Sequence, residues 1–150
     1  MIKQKIALDS NILSYAEGIN DPERQRLAQA CIAQLDFAHV AIPIQALGEL
    51  YRVLVRKGGH SSNLAREIVT QWRDLSHVLE TNDAAFQAAM TLAGEHHLQI
   101  WDAIILAVCA EAGCTCLLSE DMQAGFVWRG VEIINPLTAN GNARLQALLS

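Results

Sequence analysis

Short, wholly apolar runs recur along this chain, and each is separated from the next by a stretch of helical periodicity. Strand signals fall at 5–9, 40–43, weakly at 78–79, at 115–119 and at 131–134. Helical patterns occupy 11–17, 23–36, 44–57, 62–75, 83–97 and 101–113. Strands that alternate with helices imply parallel pairing through right-handed crossovers. Runs such as Ile6-Ala7-Leu8 and Cys116-Leu117-Leu118 are apolar at every position, as in a sheet covered on both faces. The expected fold is a three-layer α/β/α sandwich around a central, mainly parallel sheet. No repeat, linker or low-complexity segment divides the 150 residues, so 1–150 is expected to form one domain.

Local signals sharpen the helices. Ile44, Leu47, Leu50, Tyr51, Leu54 and Val55 share helical spacing, and Gly58-Gly59 stops the segment. Ser61 and Asp83 are expected caps for the helices that follow them. The tail after Pro136 is expected to form a short helix that docks through Leu145, Leu148 and Leu149.

The composition, 51% hydrophobic and 18% charged, argues for a packed globule and against disorder. The longest apolar run, Ala103 to Ala110, falls well short of the roughly 18 residues of a membrane span. Met1-Ile2-Lys3-Gln4-Lys5 carries no signal-peptide pattern, which makes the cytoplasm the expected location. Cys31, Cys109, Cys114 and Cys116 match neither a metal nor a disulfide spacing and are expected to be reduced structural thiols. The formal charge of −5 argues against nucleic-acid binding through a general basic patch. It leaves room for a local basic rim, for which Arg52, Arg56, Lys57, Arg66 and Arg73 are candidates.

Four acids stand beside core segments. Asp9 ends the first strand, Glu49 lies within 44–57, Asp102 heads the apolar run from Ala103, and Asp121 follows Leu117-Leu118-Ser119. In an open parallel sheet, ligands bind outside the carboxyl ends of the strands, which is where Asp9 and Asp121 belong. Each acid has a structural role open to it: a helix cap for Asp9, a turn for Asp121, a salt bridge to Arg52 or Arg56 for Glu49, and a dipole partner for Asp102. As a set they repel. Two unit charges about 4 Å apart cost on the order of 4 kcal/mol at an effective dielectric of 20. A hard divalent cation, Mg²⁺ or Mn²⁺, is the natural partner for such a group.

Other chemistries find less support. The five histidines show no metal-ligand spacing on a helix face. Gly58-Gly59 is not a phosphate loop, and Ser119 lacks a nucleophile elbow. Trp72, Trp101 and Trp128 are scattered and read as core anchors rather than a base-stacking platform.

The segments Ile6-Ala7-Leu8-Asp9-Ser10-Asn11, Gln45-Ala46-Leu47-Gly48-Glu49-Leu50-Tyr51, Trp101-Asp102-Ala103-Ile104-Ile105-Leu106-Ala107 and Leu117-Leu118-Ser119-Glu120-Asp121-Met122-Gln123-Ala124-Gly125 together resemble the PIN-domain ribonucleases, including the VapC-like toxins of toxin–antitoxin pairs. The resemblance runs nearly from end to end, in the family's order. It implies an endoribonuclease dependent on Mg²⁺ or Mn²⁺, with Asp9, Glu49, Asp102 and Asp121 as metal-binding carboxylates. It places Asn11, Ser119 and Ser10 as supporting polar groups, Ser10 standing where Thr is more usual, and assigns no role to Glu120, which is expected to face solvent. It implies in-line hydrolysis of an RNA phosphodiester that leaves 5′-phosphate and 3′-hydroxyl ends. It also implies an antitoxin partner and a homodimer, for which the apolar faces of 11–36 and 44–57 are available. Two alternatives stand beside it: a catalytically silent PIN-like binding module, and a Mg²⁺-dependent phosphoaspartyl phosphatase with Asp9 as nucleophile. The latter usually has an acid two residues later, where this chain has Asn11.

Overall fold

The computed structural model describes residues 4–150; the expectation for Met1-Ile2-Lys3 lies outside them. The chain runs β1 (Ile6–Leu8), α1 (Ser10–Ala16), α2 (Pro22–Ala33), β2 (Val40–Pro43), α3 (Ile44–Arg56), α4 (Ser62–Leu75) and β3 (His77–Leu79). It continues through α5 (Asp83–His96), α6 (Ile100–Glu111), β4 (Cys116–Leu118), β5 (Val127–Trp128), β6 (Val131–Ile134) and α7 (Ala139–Leu149). The sheet order is β3-β2-β1-β4-β6-β5, parallel except for β5 against β6.

Period-two alternation divides the core into two layers. Ile6, Leu8, Val40, Ile42, Cys116 and Leu118 point to the face packed by α1, α3 and α4, together with Leu145 of α7. Ala7, Ala41, Leu117 and Ile133 point to the other face, under α5 and α6. Ala7 and Ala41 lie side by side in register, so small side chains lie beneath the α6 layer. Ala103 through Cys109 of α6 are all buried, as an all-round apolar helix requires. This is the expected three-layer α/β/α sandwich.

Several local expectations are corrected. The cap of α5 is Asn82, whose side chain accepts from the Ala85 N–H, and Asp83 is the first helical residue. Helix α2 stops at Ala33, and Asp36 instead caps a short 3-10 turn, Phe37–His39. Strand β5 carries no apolar run of useful length and exists because β6 pairs with it across the Arg129-Gly130 turn. Leu145 docks as expected, whereas Leu149 remains exposed. The apolar face of 11–36 is consumed in the core, with Ile12, Leu13, Ile19, Ala28 and Cys31 buried; within 44–57, Ile44 and Tyr51 stay exposed. The four cysteines are free and buried, and burial pushes the Cys31 and Cys116 thiols up to about 12. No helix among the described residues is long and apolar enough to cross a membrane.

Candidate active site

The sheet reverses its winding between β1 and β4: the chain leaves β1 for β2 and β3 on one side, and β4 and β6 fill the other. The crevice at the carboxyl ends of β1 and β4 is therefore the expected ligand site of such a sheet. Asp9 follows β1 directly, and its backbone N–H continues the ladder to the Leu118 carbonyl at 3.0 Å. Ser119 follows β4 and continues the ladder to Ile134, also at 3.0 Å. Two adjacent strand ends thus hold Asp9 and the 119–121 segment side by side.

A hydrogen-bond network orients the Asp9 carboxylate. Oδ1 accepts from the Ser10 N–H at 2.8 Å, so Asp9 is also the cap of α1. Oδ2 accepts from Ser119 Oγ at 2.8 Å and from Asn11 Nδ2 at 3.4 Å. Asn11 Nδ2 also reaches Ser119 Oγ at 3.3 Å, and Asn11 Oδ1 accepts from the Glu120 N–H at 2.9 Å. Asn11 and Ser119 thus hydrogen-bond the Asp9 carboxylate through their side chains, and Ser10 does so through its backbone N–H.

Asp9 is buried, and that burial raises its pKa to about 6 against the lowering effect of the Ser119 and Ser10 bonds. Asp102 and Asp121 push in the same direction as burial. Asp102 is raised as well, first by burial and then by Asp121. It sits in the first turn of α6, where the helix dipole favours its charge. Three carboxylates delivered by β1, α6 and the loop after β4 thus share one field.

Glu49 reaches the same cleft from α3, but its carboxylate is partly exposed and bonded to Arg52 at 2.9 Å. The cleft is about 750 Å³ and is lined by all four acids, with Ser10, Asn11, Gln45, Gly48, Arg52, Gln99, Trp101 and Ile105. Arg56 is not among the lining residues. Among the described residues, no group of three or more His, Cys, Asp or Glu side chains is arranged to hold a metal ion outright. The donor chemistry nonetheless suits one: carboxylates backed by hydroxyl and amide oxygens are hard ligands, and their mutual repulsion is what a divalent cation offsets.

Two features escape a reading of the sequence. Glu120 does not face solvent. It accepts from Tyr15 Oη at 2.5 Å and from Arg24 Nε at 2.7 Å, tying the segment that carries Asp121 to α1 and α2. The Arg24 guanidinium also lies over the Tyr15 ring, 5.6 Å from its centroid. Partners 96 and 105 residues apart leave no local signal. Tyr15→Phe is expected to cost about 1.5 kcal/mol, the low end for a bond to a charged group, as read by urea denaturation. The second feature is Trp101, which is 57% exposed at the cleft instead of serving as a core anchor. Its place in the first turn of α6, ahead of the buried stretch, was the available signal. Trp72, by contrast, is buried with its Nε1 donating to Glu17 at 2.9 Å, and Trp128 is half-buried under Arg129.

Comparison with known proteins agrees with this fold. The fold matches the Mycobacterium tuberculosis VapC20 toxin, described as cleaving the sarcin–ricin loop, with a TM-score of 0.65 and 18% identity over 77% of this chain and 89% of that one. A toxin–antitoxin complex from Klebsiella pneumoniae matches at a TM-score of 0.67 and 19% identity, over 87% of this chain and 97% of that one. FitAcB from Neisseria gonorrhoeae gives the same values, a TM-score of 0.67 and 19% identity over 87% and 97%. No curated protein sequence matches the chain. The family model for the PIN domain matches residues 6–124, a span from β1 through the loop that carries Asp121. The chain belongs to the PIN-domain family.

Proposed function

We propose that this protein is a divalent-metal-dependent endoribonuclease and the toxin member of a toxin–antitoxin pair. The observation that carries the reading is the convergence of Asp9, Asp102 and Asp121 in one cleft at the switch point of a PIN-domain sheet. Membership of the family, and the likeness to structures solved as toxins and toxin–antitoxin complexes, point the same way.

A bound Mg²⁺ or Mn²⁺ would supply Lewis acidity, lowering the pKa of the attacking water and neutralising charge that develops on the phosphate. The chain's own part is positional and electrostatic. Ser10, Asn11 and Ser119 hold the Asp9 carboxylate in one orientation before any ligand arrives. Asp102 stands in the first turn of a helix whose next seven residues are all buried, so it needs little ordering at the moment of reaction. Asp121 is exposed at the rim, and its segment is held in place by the Glu120 contacts to Tyr15 and Arg24. Glu49 completes the donor set in this reading by exchanging Arg52 for the ion. Arg52, thereby released, is the basic side chain in the cleft lining available to an RNA phosphate. An antitoxin and a second copy of the chain remain the proposed protein partners, and Ile44 and Tyr51 are exposed apolar residues on α3 available to them.

The test is incubation of 5′-labelled RNA with the protein and Mn²⁺, with analysis of the product ends, beside calorimetric titration of Mn²⁺. Cleavage leaving 5′-phosphate and 3′-hydroxyl ends is expected. Ends carrying 2′,3′-cyclic phosphate would refute water attack. Metal binding without cleavage of any RNA would favour the silent binding module, the reading to which the Glu49–Arg52 pair also lends some support.

A further inference from the structure

The cleft is lined by more than its acids. Gln45, Gly48, Gln99 and Trp101 line it beside the carboxylates, and none of these four can serve as a hard anionic ligand. An indole that is 57% exposed costs hydrophobic free energy unless a ligand covers it. Its backbone is pinned: Gln45 Nε2 donates to the Trp101 carbonyl at 3.2 Å, joining α3 to the first turn of α6. Gly48 lies three residues beyond Gln45 on α3, and a Cβ placed there would meet nothing within 4 Å. Glycine in a helix interior is unfavourable by about 1 kcal/mol relative to alanine, and no close packing here demands it. What its missing side chain leaves is open room in the cleft.

We infer that Trp101, Gln45, Gly48 and Gln99 form a nucleobase subsite, in which a base of the RNA strand next to the scissile phosphate stacks on the Trp101 indole. The inference rests on the nuclease reading for the identity of the strand. Stacking suits the observations because every base has a π face, so one exposed indole serves any sequence. The Gln99 amide, at the mouth of α6, supplies both a donor and an acceptor for a base edge. An RNA strand laid across the cleft would then place its phosphate toward the acids and its base toward the tryptophan. In a chain of net charge −5, such stacking also supplies affinity that backbone electrostatics cannot.

The experiment measures binding separately from chemistry. Fluorescence anisotropy of a labelled twelve-nucleotide oligo(U) RNA, and of an abasic ribose-phosphate oligomer of equal length, is recorded in Ca²⁺ for the unmodified chain, Trp101→Phe, Trp101→Ala and Gly48→Leu. The unmodified chain should prefer the base-bearing strand by about 5- to 150-fold, the range of one base–aromatic stack. Trp101→Phe should keep most of that preference. Trp101→Ala should lose it, as should Gly48→Leu, which fills the open room while improving helix propensity. Thermal melts of all four proteins check that folding is intact. Equal binding of the two oligomers by the unmodified chain, no binding of either, or full preference retained in Trp101→Ala would overturn the subsite. Cleavage of the same RNA in Mn²⁺ is scored apart from this. Base discrimination without cleavage of this or any other RNA sinks the nuclease reading and leaves base stacking on Trp101 standing, and cleavage without discrimination does the reverse.

Discussion

Asp9→Asn is expected to make the metal-free protein more stable at pH 8 while removing its activity on RNA. Burial raises Asp9 from 3.8 to about 6, so between those values the folded chain holds a proton that the unfolded chain has released. Stability therefore falls as the pH rises from about 4 to about 6 and stays at the lower level above that. The displacement corresponds to roughly 3 kcal/mol at pH 8. Asparagine keeps an oxygen for the Ser10 N–H but turns a donor toward Asn11 and Ser119, which returns about 1 kcal/mol of the gain. A net stabilisation of about 2 kcal/mol at pH 8, reversing between about pH 4 and pH 5 to a destabilisation of up to about 1 kcal/mol at lower pH, is the expected result of urea denaturation without divalent ions. Cleavage should fall by roughly two to three orders of magnitude, the scale for losing one preorganised electrostatic group. A variant that is less stable at both pH values would mean that the Asp9 carboxylate serves the fold rather than a ligand.

Mn²⁺ should raise the melting temperature of the unmodified protein at pH 8 and do so far less at pH 5. Binding a ligand only in the folded state stabilises it by about 2.7 kcal/mol at a hundredfold excess over Kd. At pH 8 the ion meets an ionised Asp9 and relieves its repulsion with Asp102 and Asp121. Below about 6, where Asp9 is protonated, the ion must first displace a proton, and its effect shrinks. Asp102→Asn should weaken the response at both values, since Asp102 is raised by the same neighbourhood. Differential scanning fluorimetry across pH 5 to 8, with and without Mn²⁺, reads this directly. A shift that is the same at all pH values and in both proteins would place the metal elsewhere on the surface.

The two results follow from one arrangement. A carboxylate buried beside two others destabilises the fold that carries it, and the fold retains it because central strands, not loops, hold the chain there. Asp9 and Ser119 each continue a parallel ladder by one further hydrogen bond. The cost is therefore borne by the most heavily packed part of the sheet, where Leu8, Leu117 and Leu118 are fully buried.

The architecture and the place of Asp9 at the end of β1 were legible in the residues for a common reason: both are consequences of local pattern. All-apolar three-residue runs bounded by helical periodicity leave few topologies open, and an acid directly after such a run must stand on the carboxyl edge of a parallel sheet. The same locality explains the misses. Strand β5 has no pattern of its own and depends on β6 for its existence. Glu120 carries no local sign of its partners because Tyr15 and Arg24 are far off in sequence, and only the fold brings α1 and α2 against the loop after β4. Whether Glu49 faces the acids or its own neighbour Arg52 is a matter of side-chain rotamer, which spacing does not encode. The scatter of the three tryptophans points Trp101 to the core, yet the first turn of α6 projects past the packed layer into the cleft. Periodicity determines which residues share a face; the end of the packed layer, where a face stops being core and becomes a site, is decided by tertiary contacts alone.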